Sequence, residues 1–170
     1  MNSKPVPTVT LRFENLAVLE DGEEGTKRVP LPSLREDSHI HGGFRLVIGG
    51  RVVPYMGYFG ADDVCFGDWL TELDGVMEAF AADEVATYVY DEGEQGQPAF
   101  VFEREGDVAF LSIADSKISD GEAHPDWQRA VFHYTDLRDE YAHFRADFAD
   151  EVRRAAPATG EKWLKRFRSA

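Results

Sequence analysis

Ala99-Phe100-Val101-Phe102-Glu103-Arg104-Glu105-Gly106-Asp107-Val108-Ala109-Phe110-Leu111-Ser112-Ile113 decides the fold. Two β-rich runs flank the short turn Glu105-Gly106-Asp107, so they are neighbouring antiparallel strands. Upstream, Val85-Ala86-Thr87-Tyr88-Val89-Tyr90 is a further strand, joined through the acidic loop Asp91-Glu92-Gly93-Glu94-Gln95-Gly96-Gln97-Pro98. Downstream, an irregular stretch over 115–126 leads to Ala130-Val131-Phe132-His133-Tyr134, a fourth strand of the same sheet. The segment is therefore an antiparallel meander.

Helices flank it on both sides. Trp69, Leu73, Val76, Met77 and Phe80 make one apolar stripe at helical spacing, started by Gly67 or Asp68, with Glu72, Asp74 and Glu78 outside the stripe. Leu137, Tyr141, Phe144, Phe148 and Val152 repeat in the same way after a cap at Thr135 or Asp136. Arg153 and Arg154 stand in the last turn, where the helix dipole favours cations, and Pro157 ends the helix.

Earlier still, Phe44-Arg45-Leu46-Val47-Ile48 and Arg51-Val52-Val53 face each other across Gly49-Gly50 as a hairpin whose second arm Pro54 confines to an edge. Thr8-Val9-Thr10-Leu11-Arg12-Phe13 is a strand that continues through Leu16-Ala17-Val18-Leu19 after a break or bulge at Glu14-Asn15. Asp21-Gly22-Glu23-Glu24-Gly25 turns the chain, and residues 26–43, with Pro30, Pro32, Gly42 and Gly43, read as an irregular connection. The expected fold is α+β: a mostly antiparallel sheet, hairpin plus meander, with the two main helices packed on one face. Residues 1–156 form one domain, its first 43 residues an N-terminal strand and connection, and residues 157–170 form a basic tail.

Length agrees with one domain: 170 residues bury about two thirds of the unfolded surface. The charge is lopsided. Thirty-two Asp and Glu stand against 18 Lys and Arg, a net −14, and the last ten residues, with Lys162, Lys165, Arg166 and Arg168 against one acid, carry +3 on their own. The remaining −17 repels phosphate backbones and anionic lipid and favours basic partners, which disfavours direct nucleic-acid binding. Trp163, Leu164 and Phe167 share one side of a short helix after residues 155–160 and suit docking of the tail on the acidic body. Cys65 is single, so no internal disulfide is expected, and no run reaches the roughly 20 apolar residues of a membrane span. Residues 1–7 lack the apolar core of a signal peptide, and a cytoplasmic location is expected.

Reactive signatures are sparse. No Gly-x-Ser-x-Gly elbow, phosphate-binding loop or dinucleotide fingerprint occurs. His39 and His41, at i and i+2 of an extended segment, point to one side and could share an ion with Glu36 or Asp37, but the glutamate a cupin-like site needs is replaced by Gly42-Gly43-Phe44-Arg45. Cys65, between Val64 and Phe66, is a small buried apolar residue without a partner base. No cofactor is expected. The stretch holding Tyr55, Met56, Tyr58 and Phe59 among glycines, before Asp62 and Asp63, offers aromatic anchors beside negative charge. With Asp91, Glu92 and Glu94 of the acidic loop, Tyr55, Tyr58, Asp62 and Asp63 form the expected partner-binding set.

In residues 44–156 the arrangement resembles the small acidic immunity proteins of bacterial polymorphic-toxin systems and related bacterial domains. It rests on Trp69-Leu70 opening a helix, the hairpin from Gly96-Gln97-Pro98 through Ile113, and the Leu137/Tyr141/Phe144/Phe148 helix. These are scaffold residues, so the resemblance implies a role and no binding residue. That role is non-catalytic: a cytosolic domain that binds a basic effector or toxin and blocks it. The alternative is a metal- or small-ligand-binding domain, or an enzyme, using His39, His41 and neighbouring carboxylates.

Overall fold

The structure is a computed structural model that describes residues 8–167; Arg168 of the basic tail and the stretch read for a signal peptide lie outside them. The architecture is α+β with every strand pairing antiparallel. The strands divide into two sheets, where a single one was expected. The first has the order β2-β1-β3-β4, built from β1 (Val9–Gly22), β2 (Gly25–Pro30), β3 (His39–Ile48) and β4 (Arg51–Val52), with β5 (Val64–Cys65) pairing beside β3. The second is the meander β6 (Val85–Asp91), β7 (Ala99–Glu105), β8 (Val108–Ala114) and β9 (Ala130–His133), in sequence order.

Residues 26–43 are more regular than expected. β2 closes a hairpin on β1, a 3₁₀ turn follows at Leu31–Ser33, and β3 begins at His39. β2 escaped detection because five of its six residues are exposed, so it has no apolar face to alternate. The expected bulge is present: the β1–β3 register slips between Glu14 and Ala17, and Asn15 takes a left-handed φ of 52°. The Gly49-Gly50 turn has both residues at positive φ, 60° and 78°, as a two-residue hairpin loop of type I′ requires.

Helix α1 (Phe66–Ala82) and helix α2 (Tyr134–Ala155) are capped two or three residues earlier than expected, at Cys65 and His133. Their stripes are core: Trp69, Leu73, Val76 and Phe80 on α1 and Leu137, Tyr141, Phe144, Phe148 and Val152 on α2 are buried, while Met77 is half-buried. Phe44 of β3 joins the two helices, its ring centroid 5.5 Å from that of Phe66 and 5.3 Å from that of Phe144. Each such ring removed from water contributes about 1.5–3 kcal/mol. Trp69 carries the core on to the second sheet, edge-on to Phe100 of β7 at 5.0 Å.

The tail is not separate from this core. Helix α3 (Gly160–Lys165) inserts Trp163, fully buried, beside Phe148, and the indole Nε1 donates to the Ser38 carbonyl at 2.7 Å. Arg166 donates to the Glu36 carbonyl and Arg145 to the Phe167 carbonyl. Lys162 and Lys165 remain exposed.

Candidate functional site

The loop between β4 and β5 builds one wall of the site. Its glycines are steric necessities: a Cβ on Gly57 would stand 2.2 Å from the Gly60 carbonyl oxygen, and Gly60 itself has φ 108°. The tight turn drives Met56 into the core, where its carbonyl accepts the Trp69 indole N–H at 2.6 Å. The same turn leaves Tyr58 and Phe59 outside, 45% and 76% exposed, edge-to-face at 4.7 Å. The loop is therefore part core and part surface.

Beneath that aromatic pair lies a cleft of about 400 Å³. Its floor is Met56, Trp69 and Tyr90; its rim carries Asp63, Asp68, Glu92 and Glu94. It opens into a second cleft, of about 580 Å³, between α1 and β6, which shares Asp68, Tyr90, Glu92 and Glu94 and adds Glu72, Tyr88 and Asp91. Neither lining contains a lysine or arginine. The result is an anionic groove, apolar along the floor of its first half and mainly polar in its second. Its self-repulsion registers on Glu92, whose carboxyl is pushed above the usual range by burial first and then by the charges of Asp68 and Glu94.

Both histidines of the His-Ile-His pair line the first cleft, as strand alternation requires. His41 Nδ1 lies 2.9 Å from Asp63 Oδ1. Among the described residues no three His, Cys, Asp or Glu side chains are placed to share an ion. Glu36 does not line the cleft, and Asp37 lines a separate hollow beside His39. Cys65 borders the cleft and is not fully buried; burial pushes its thiol up to about 11, so it stays protonated at neutral pH and is a poor nucleophile.

Of the seven expected partner-binding residues, Tyr58, Asp63, Glu92 and Glu94 converge on this groove. Asp91 borders its second half, but its carboxylate is already engaged, accepting from Ser116 Oγ at 2.7 Å and from the Lys117 N–H at 2.8 Å. Asp62 is turned to Arg45, 2.7 Å away, and Tyr55 points toward His124 with its centroid at 5.9 Å, held by a left-handed φ of 66°. Asp68, Glu72, Trp69 and Tyr90 complete the groove. The helical wheel carried a partial signal, since Asp68 and Glu72 lie off the apolar stripe, but solvent and a facing acidic loop look alike in sequence.

A larger depression, about 780 Å³, lies between β1 and α2, where Arg12, Arg45 and His143 alternate with Glu14, Glu140 and Asp147. Its charges offset one another, and Glu140 is used to accept the Leu11 N–H. The anionic groove is the stronger site.

Fold and groove together define an α+β domain with an acidic, aromatic-walled surface cleft. No family model matches the chain, and no curated protein or solved structure matches it at a significant level. No helix among the described residues is long and apolar enough to cross a membrane.

Proposed function

We propose that the chain is a non-catalytic binding domain for a basic protein, an immunity-type inhibitor that acts in the cytoplasm by covering a cationic effector surface. The observation that carries this reading is the groove itself: Asp63, Asp68, Glu72, Glu92 and Glu94 rim an apolar floor with no lysine or arginine among the lining residues. Burial first, and then the charges of Asp68 and Glu94, raise the Glu92 carboxyl, and a cation entering there offsets the repulsive part, which favours association. The net −14 steers the encounter, and exposed Tyr58 and Phe59 supply rigid aromatic area to bury after it.

The test is amide mapping by nuclear magnetic resonance with an oligolysine peptide as probe. Shifts are expected at Asp68, Glu72, Glu92 and Glu94, weakening with salt and lost in the double variant Glu92→Lys/Glu94→Lys. Shifts spread evenly over every acidic stretch, or none, would overturn the reading.

A second reading has one observation in its favour: His39, His41 and Asp63 line the same cleft, which suits a small polar ligand, or an ion held by fewer than three of these side chains. Metal analysis of the purified protein, with melting compared before and after chelator, separates the two. Stoichiometric metal and a chelator-dependent melting temperature would favour the second reading.

A further inference from the structure

We infer that the partner is held through strand addition: a basic extended segment pairs along the free edge of β6, between that strand and α1, as a fifth strand of the second sheet. This rests on the binding reading above and specifies how the groove is filled.

The main-chain geometry is fixed by one hydrogen bond. Gly106 N–H donates to the Glu84 carbonyl, which makes this pair a hydrogen-bonded one in the β6–β7 ladder. Alternate residues follow, so Ala86, Tyr88 and Tyr90 turn their main-chain groups to β7, while Val85, Thr87 and Val89 turn theirs away from it. The Val85 N–H agrees, since it donates backward to Asp83 Oδ1 at 3.1 Å. β6 ends the sheet, with β7 on one side and no strand on the other.

This edge differs from those of β2 and β4, and it is longer than the four-residue β9 at the other end of its sheet. β2 carries Lys27, Arg28 and Pro30, and β4 is two residues long with Pro54 close behind; these are the usual devices that keep an edge from pairing. β6 has seven residues and no Lys, Arg or Pro, and its one charge, Asp91, lies at its end. Its outward side chains are β-branched, with Val85 71% and Val89 53% exposed.

Charge selects the occupant. The cleft beside the edge is walled by Asp68, Thr71 and Glu72 of α1 and closed at one end by Glu92 and Glu94. An added strand alternates its side chains, one set toward these acids and the other beside Val85, Thr87 and Val89. The complementary segment therefore alternates Lys or Arg with Val, Ile or Thr. A second copy of this chain is a poor occupant, because its own β6 runs into Asp91, Glu92 and Glu94 and would bring like charges together.

The experiment uses two probes on the full chain: the peptide Lys-Val-Lys-Val-Lys-Val-Lys and the same peptide N-methylated on its valines. Charge is identical, and in the antiparallel pairing that every other strand of the sheet uses, where the valines lie opposite Val85, Thr87 and Val89, the second cannot donate to the edge. The unmodified peptide is expected to slow hydrogen exchange at the Thr87 and Val89 amides and to bind about tenfold or more tightly than the methylated one. Equal binding of both, with Thr87 and Val89 exchanging freely, would overturn strand addition while leaving the anionic docking reading intact. Binding of neither, with oligolysine still shifting the groove amides, would do the same. Protected Thr87 and Val89 in a dimer without peptide would overturn it in favour of self-pairing. Loss of the oligolysine shifts as well would instead remove the binding reading on which it rests.

Discussion

The Tyr88 hydroxyl donates to Glu72 Oε2 at 2.6 Å, and the side chain occupies the space a Cβ on Gly75 would need, its hydroxyl oxygen 2.6 Å and two ring carbons 2.7 Å from that point. The contact seats β6 on α1 and fixes the width of the second cleft. Gly75 therefore serves as a notch in the helix, at the expense of the roughly 1 kcal/mol of helix propensity that alanine would offer.

Tyr88 makes the fold sensitive to alkali. Burial, then the Glu72 bond and charge, push its hydroxyl up to about 12, and burial pushes Tyr90 and Tyr141 upward as well. A group whose folded pKa exceeds its unfolded value of about 10 gives stability that is present below about pH 10 and lost as pH rises toward 12. Denaturant midpoints are expected to fall over that window and to fall less in Tyr88→Phe. Glu72→Gln should move the tyrosinate absorbance of Tyr88 to lower pH; an unchanged titration in that variant would contradict the assignment.

Glu92 works in the opposite interest to stability. Its raised carboxyl means that the folded state resists ionising it, so its contribution diminishes as pH rises through the titration of Glu92. Glu92→Gln is expected to stabilise the free protein at neutral pH, with the gain vanishing in acid, where the glutamate is protonated in both the folded and the unfolded chain. The same variant should weaken oligolysine binding. Urea denaturation at two pH values, beside a binding titration, checks both halves.

Trp163 closes the core from α3. Trp163→Ala is expected to cost about 3–5 kcal/mol in chemical denaturation. Trp163→Phe keeps an apolar ring and loses the bond to the Ser38 carbonyl, which Arg166 reaches only at 3.5 Å, so a smaller loss of about 1–3 kcal/mol is expected. Equal losses for the two variants would mean that the indole N–H, not burial, dominates.

Gly42 marks where β3 passes the bulge of β1. A Cβ there would lie 2.8 Å from the Glu14 carbonyl oxygen and 3.1 Å from that of Asn15, both main-chain atoms with little freedom to withdraw. Gly42→Ala is expected to destabilise by about 1–3 kcal/mol, read by thermal unfolding. No change in melting would show that the bulge relaxes freely.

Where side chains alternate between core and solvent, the fold was legible. The meander, both helices and the bulge at Glu14-Asn15 follow from local patterns, because burial on one face leaves a period in the sequence. β2 left none, being exposed on both faces apart from Val29. The division into two sheets was equally hidden, since local alternation does not say which edges remain unpaired. For the site, the Tyr58 and Phe59 anchors and the Glu92 and Glu94 rim were visible as composition. Asp68 and Glu72 became part of the groove only through packing of α1 against β6, a contact between segments some twenty residues apart. Tyr55 and Asp62 went elsewhere because of a backbone angle and a neighbouring arginine, neither of which composition encodes.

The bond from Trp163 to Ser38 spans 125 residues of chain. During synthesis, β3 and the 3₁₀ turn emerge long before the indole that seals them, leaving an apolar seam on the nascent polypeptide until α3 clears the ribosome. The core of this protein therefore stays open at that seam until α3 has formed, and chaperone capture would fall in that interval.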